Sequence, residues 1–119
     1  MDKVKIAVIG VGGWGRRVTQ VLSELENCEL TAICDVDKDK VGAIGKTYKV
    51  QGFTDSHSLF KKSRELEAVA IVTPTPTHYE MAAQAIEAGK HVFVEKPLCD
   101  SVNRAKKLVK VCLLYTSDA

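Results

Sequence analysis

Three glycines and one aspartate carry the first chemical signal in the chain. Gly10, Gly12 and Gly15 spell G-x-G-x-x-G, with Gly13 and Trp14 inside the run, and Asp35 follows Gly15 by 20 residues. Where such a run joins a strand to a helix, each glycine has its own task. The first allows a tight turn, the second lets the backbone approach a pyrophosphate, and the third lets helix and strand pack closely. The helix then turns its free N–H groups and positive dipole end toward the phosphates. A carboxylate at the distance of Asp35 is placed to accept hydrogen bonds from ribose hydroxyls. It would repel a phosphate on that ribose, which favours NAD over NADP, although Asp37 and Lys38 add a charge of each sign nearby. Alone, the glycines would mark an ordinary turn and Asp35 a solvated strand end; the spacing between them points to a dinucleotide.

The surrounding pattern supplies the elements such a turn needs. Val4 to Ile9 is a short run rich in β-branched residues that ends at a glycine, and reads as a buried strand. Trp14 to Glu26 repeats apolar residues at Trp14, Val18, Val21, Leu22 and Leu25, one helical face. Further strands are expected over Leu30 to Cys34, Val50 to Phe53, Ala68 to Val72 and His91 to Val94. Between them lie a helix around Asp39 to Lys46, a short one over Ser58 to Lys62 capped by Ser56, and an alanine-rich one over His78 to Ala88 that Gly89 ends in the left-handed conformation. Two prolines make Thr73 to Thr77 a loop, and Val102, Ala105, Leu108 and Val109 mark a final helix from Ser101 onward. Strands alternating with helices imply a parallel sheet covered on both faces by right-handed crossovers, a doubly wound α/β domain.

Composition narrows the function classes. The 119 residues, 45% of them hydrophobic, suit one domain, and 17 basic against 15 acidic residues form no basic stripe, so nucleic acid is not an expected partner. Apolar runs such as Ala68 to Val72 are too short to span a bilayer and no signal-peptide pattern opens the chain, so no membrane partner and a cytoplasmic location are expected. Cys28, Cys34, Cys99 and Cys112 lack C-x-x-C spacing, and His57, His78 and His91 lack ligand spacing; the expectation is reduced structural thiols and no metal.

The glycine turn, the run Thr73-Pro74-Thr75-Pro76-Thr77-His78 and the run Ala88-Gly89-Lys90-His91-Val92-Phe93-Val94-Glu95-Lys96-Pro97 together resemble the Gfo/Idh/MocA oxidoreductase family, over residues 4 to about 111. The resemblance implies a Rossmann sheet ordered 3-2-1-4-5, NAD(P) as cofactor, with Asp35 favouring NAD and NADP less expected, and a following α/β domain that supplies most of the substrate site. It carries onto Lys96 the role of the lysine facing nicotinamide and substrate hydroxyl. An ammonium there would hold the substrate oxygen and stabilise charge developing on it. It also implies that Thr73, with the backbone of Pro74 and Thr75, lines the nicotinamide ribose, and that Pro97 occupies a position often cis in the family. His78 has two readings, a residue facing the crevice or a polar first-turn residue. Glu95 has three: a ribose contact, an orienter of Lys96, or a plain ion pair. Trp14 in the glycine turn looks like the branch acting on nucleotide-linked sugars, while the physical expectation is that it packs the helix against the sheet.

The last residues, Cys112 to Ala119, look like a translated sequencing adapter, although Cys112 and Leu113 also suit a helix extension. The expectation is therefore an NAD(P)-binding domain over 1–111, a non-native tail over 112–119, and a truncated gene lacking the sixth strand and the partner domain. Such a chain would bind cofactor weakly, catalyse nothing and expose apolar surface. The complete protein is expected to be a homo-oligomeric NAD-dependent dehydrogenase of a sugar, polyol or sugar nucleotide. The competing reading is a stand-alone NAD(H)-binding sensor, against which the ammonium of Lys96 argues.

Overall fold

The computed structural model describes residues 3–94. Expectations for Glu95, Lys96, Pro97, Cys99, the helix from Ser101 and residues 112–119 lie outside the described residues.

Five strands and four helices alternate: β1 (Val4–Ile9), α1 (Trp14–Glu24), β2 (Cys28–Cys34), α2 (Lys38–Tyr48), β3 (Gln51–Phe53), α3 (Ser56–Lys62), β4 (Ala68–Ile71), α4 (Thr75–Glu87) and β5 (His91–Val94). The strands form one sheet in the order β3-β2-β1-β4-β5, every neighbouring pair parallel, as the alternation predicts. β1 is central, and successive residues feed opposite cores, as the two-residue period of a strand requires. Ile6 and Val8 pack with Val18, Leu22 and Ile44 of α1 and α2, whereas Ala7 and Ile9 pack with Leu59, Ala82 and Ala85 of α3 and α4. Ile6–Ile9 of β1 and the whole of β4 are buried on both faces and are apolar there without alternation. Leu59 is fully buried, and truncating it to alanine would cost about 2–5 kcal/mol.

Several boundaries differ from the sequence expectation. The run Thr73 to Thr77 is not all loop, since α4 begins at Thr75 with Pro74 as its N-cap and Pro76 in its first turn. A first-turn N–H has no acceptor within the helix, so proline loses nothing there and its fixed φ suits the geometry. The Thr77 amide, donating to the Pro74 carbonyl at 2.9 Å, closes that turn. α3 is capped by Asp55 rather than Ser56: the Asp55 carboxylate accepts from the Ser58 amide at 2.8 Å and from the Ser58 hydroxyl at 2.9 Å. Ser56 is instead buried and donates its hydroxyl to the Gln84 side chain, tying α3 to α4.

α1 ends at Glu24, and its buried residues are Gly15 and Thr19, flanked by half-buried Val18 and Leu22; Val21 and Leu25 remain exposed. α2 runs on to Tyr48, because Lys49 takes the left-handed conformation (φ 56°) and its N–H donates to the Gly45 carbonyl. Gly89 (φ 78°) follows α4 as expected.

An L-residue in the left-handed region is strained by about 1–2 kcal/mol, and the exposed Lys49 makes a cap that glycine would make without that strain. Lys49→Gly should therefore stabilise the fold by about 1 kcal/mol, read as a higher urea midpoint at unchanged slope. The two Ser58 hydrogen bonds hold the Asp55 carboxyl below the usual carboxylate range. Its contribution is then present above the unfolded-state pKa and lost as pH falls through the lowered folded value. Asp55→Ala should lower the melting temperature at pH 7 and lower it much less under acid conditions where the wild-type carboxyl is protonated; an equal loss at both would remove Asp55 as the cap.

Candidate dinucleotide-binding site

The carboxyl end of the sheet is built around the glycine turn. Gly10 leaves β1 with φ 97° and donates its N–H to the Cys34 carbonyl at 2.7 Å. A Cβ on Gly10 would stand 2.8 Å from the Val72 carbonyl and 2.9 Å from the Thr73 nitrogen, so the turn is pressed against the chain leaving β4. A Cβ on Gly15 would fall 1.7 Å from the Gly10 carbonyl oxygen. These two glycines face packed backbone. Gly12 and Gly13 face space: near a Gly12 Cβ, among the described residues, come only the Lys40 Nζ (3.0 Å) and Cε (3.9 Å), and near a Gly13 Cβ nothing within 4 Å.

α1 starts at that open side. Gly13 is its N-cap, no side chain caps it, and no acidic residue lies in its first turn. Its first amides and positive dipole end thus border the cradle that the side-chain-free Gly12 and Gly13 leave, and a group carrying several anionic oxygens fits there.

Asp35 is half-buried just beyond β2, and its carboxylate is turned onto the same structure. Oδ2 accepts from the Val11 amide at 2.9 Å and Oδ1 from the Asp37 amide at 2.9 Å, while the Asp35 amide donates to the Phe53 carbonyl at 3.1 Å. Each carboxylate oxygen has two lone pairs, so each keeps accepting capacity for a hydroxyl. Cys34, next to it, is buried, and its thiol is pushed up to about 12, first by burial and then by the Asp55 and Asp35 carboxylates. A thiol so placed stays neutral and serves as packing.

The chain after β4 forms the opposite wall. The Thr77 hydroxyl lies 2.6 Å from Thr73 Oγ1 and 2.7 Å from the Pro74 carbonyl oxygen. His78 is 3% exposed, with Nε2 located 2.7 Å from the Thr73 carbonyl oxygen. A carbonyl only accepts, so Nε2 carries the proton and donates. His78 therefore does not face the open groove: it is an interior brace that fixes the carbonyl of a wall residue. Trp14 also departs from expectation. Instead of packing the first turn of α1 against the sheet it is 59% exposed, and with Val18, Ala70, Val72, Phe93 and Val94 it lines an apolar depression of about 250 Å3.

Gly10, Gly12, Gly13, Gly15 and Asp35 thus converge as expected from sequence, with Thr73 beside Gly10. Sequence reasoning missed the Val11 amide, the Thr77 hydroxyl and Lys40. The first is backbone, and the second lies in a run whose two prolines read as loop. Lys40 belonged to no motif and reaches Gly12 only through the packing of α2. Among the described residues no three His, Cys, Asp or Glu side chains form a group able to hold a metal, and no helix is long and apolar enough to cross a membrane.

A parallel 3-2-1-4-5 sheet with a glycine turn after its central strand defines a class, the Rossmann dinucleotide-binding domains. Residues 4–113 match the model of the Gfo/Idh/MocA oxidoreductase family, NAD-binding Rossmann fold, and the chain belongs to that family. It is 31% identical over 110 residues to an inositol 2-dehydrogenase of Rubrobacter xylanophilus, covering 92% of this chain and 31% of that protein. It is 33% identical over 119 residues to a glycosyl hydrolase family 109 protein of a Shewanella species, covering 92% of this chain and 26% of that one. Among solved structures, myo-inositol 2-dehydrogenase from Lactobacillus plantarum superposes with a TM-score of 0.88 at 29% identity, over 96% of this chain and 34% of that one. GenD2 from gentamicin A biosynthesis, in complex with NAD, gives 0.90 at 27% identity, over 98% and 33%. The chain spans about a third or less of the length of the curated relatives.

The glycines should separate experimentally. Gly12→Ala meets only the flexible end of Lys40, so stability should stay within about 0.5 kcal/mol of wild type. Gly15→Ala drives a carbon into backbone and should cost about 3 kcal/mol or more. Urea unfolding of both variants measures the difference, and equal costs would contradict the packing described.

Proposed function

We propose that this chain is the cofactor half of an NAD-dependent dehydrogenase that moves hydride between a secondary alcohol of a sugar, polyol or sugar nucleotide and NAD. The observation that carries the cofactor preference is the Asp35 carboxylate fastened to the glycine turn through the Val11 amide. In that position its remaining lone pairs accept from vicinal ribose hydroxyls, and its charge opposes a ribose phosphate. The substrate class is supported by the inositol 2-dehydrogenase relative and by the fold shared with myo-inositol 2-dehydrogenase.

In this reading residues 1–111 form the cofactor domain, with 112–119 outside it. Gly10, Gly12, Gly13, Trp14 and Gly15 receive the diphosphate, Asp35 the adenosine ribose, and Thr73, Pro74, Thr75 and Glu95 the nicotinamide side. Bound NAD supplies the hydride acceptor. Lys96 would hold the substrate oxygen and stabilise the negative charge that grows on it as a base of the complete protein takes the hydroxyl proton, the carbon passing its hydride to the nicotinamide. His78 contributes by fixing the Thr73 carbonyl rather than by touching the cofactor. The exposed Trp14 suits a sugar-nucleotide branch, in which an aromatic face beside the turn is available to a large substrate. The glycosyl hydrolase family 109 relatives favour a second reading, glycoside cleavage by the complete protein. Assaying polyol-dependent reduction of NAD beside release of an aryl glycoside separates the two.

Titration with NAD and NADP tests the cofactor assignment directly. NAD should bind more tightly, and Asp35→Asn, which keeps the shape and removes the charge, should weaken NAD by about tenfold or more while narrowing the gap to NADP. A native preference for NADP would refute the role given to Asp35.

A further inference from the structure

Lys40 stands at the one part of the glycine turn where its neighbours leave room. It is the third residue of α2, exposed, and its own amide is held by Asp37 Oδ1 at 3.2 Å. Its side chain leaves α2 and crosses to the other helix–strand unit, where its ammonium lies 3.0 Å from the position a Cβ on Gly12 would take. Nothing in α2 calls for a cation at that point. The first turn of a helix is its positive end, so a lysine there is electrostatically disfavoured by its own helix. Gly12 is the glycine whose missing side chain lets a diphosphate come close to backbone. A charged side chain over that gap has a natural counterion in the diphosphate itself.

We propose that Lys40 is a cofactor-binding residue whose ammonium pairs with a phosphate oxygen of the dinucleotide's diphosphate, closing the cradle from the α2 side while the α1 N-terminus faces it from the other. The assignment rests on the reading of this chain as an NAD-binding domain and adds to it a side-chain ligand from outside the glycine turn. It also separates two sources of positive charge. The α1 amides are fixed by the packing of Gly15, whereas the Lys40 ammonium sits on a flexible stem that can follow the phosphate. The diphosphate is preferred over a ribose 2′-phosphate because the ammonium lies over Gly12, and the carboxylate of Asp35 stands where the ribose would be.

Trp14, the one tryptophan of the chain, borders the turn and reports binding by its fluorescence. The 119-residue chain would be titrated with NAD, NADP and ADP-ribose as wild type, Lys40→Met, Lys40→Arg and Lys46→Met, with circular dichroism confirming the fold of each. Lys40→Met should weaken all three ligands by about tenfold, Lys40→Arg should recover most of that loss, and Lys46→Met, which removes the same charge from the last turn of α2, should match wild type. Loss confined to NADP would move the ammonium to the 2′-phosphate and overturn the proposal. Unchanged binding in Lys40→Met, with wild type binding NAD normally, would overturn it and leave the domain assignment standing. Wild type that binds neither NAD nor ADP-ribose would defeat the domain assignment and this proposal together.

Discussion

The first turn of α1 lies on the end of β1 without room for one carbon atom between them, and most of the site follows from that contact. A Cβ on Gly15 would come 1.7 Å from the Gly10 carbonyl oxygen. Helix and strand can approach this closely only where the side chain is hydrogen, and the approach turns the helix start over the carboxyl edge of the sheet. Gly12 and Gly13 are then left facing outward, and the Val11 amide is brought within reach of Asp35. The other buried residue of the helix is Thr19, whose hydroxyl donates to the Gly15 carbonyl at 2.8 Å and so carries no unsatisfied group into the interior. Small side chains on the buried side and larger ones at the margins are what a closely seated helix requires.

That arrangement explains which parts of the molecule could be read from sequence. β4 and residues 6–9 of β1 are legible because strand segments buried on both faces read as continuous apolar runs, and the 3-2-1-4-5 order follows from the family resemblance on a strand–helix alternation. The glycine turn and Asp35 were legible because each residue type there answers a geometric need at fixed spacing. The buried side of α1 was not, since hydrophobic periodicity looks for large apolar residues and the helix buries Gly15 and Thr19 instead. Trp14 misled for the same reason: apolar, in phase and exposed. Two prolines suggested a loop where one of them starts a helix, because proline forbids a helix interior but suits its first turn. Asp55 rather than Ser56 caps α3 because Ser56 is drawn inward to Gln84, a choice made by tertiary packing.

Both walls of the groove are braced by hydrogen bonds. On the β2 side Asp35 already accepts an N–H at each oxygen, and on the β4 side His78 and Thr77 hold Thr73 and Pro74. In the proposed reading a ribose hydroxyl arriving at Asp35 would find free lone pairs on oxygens that need not move, and a hydroxyl and a phosphate would be told apart by a fixed charge in a fixed place. Fixed groups discriminate well because little ordering cost is left to offset the difference between two ligands.

A diphosphate presents a different problem. Its charge is spread over several oxygens and is common to NAD and NADP, so rigid reading of it would add affinity without choice. The α1 amides, locked by the Gly15 contact, would in the proposed reading fix its position. Further affinity is better drawn from an ammonium that tolerates small displacements, as a lysine on four methylenes does, than from a second rigid set of donors that would have to agree with the first. The placement of Lys40 over the side-chain-free Gly12 meets that requirement, since the same missing Cβ that admits the phosphate also leaves the ammonium space to move. On the proposed roles, selectivity would rest with the carboxylate that is braced, and part of the attraction with the cation that is not.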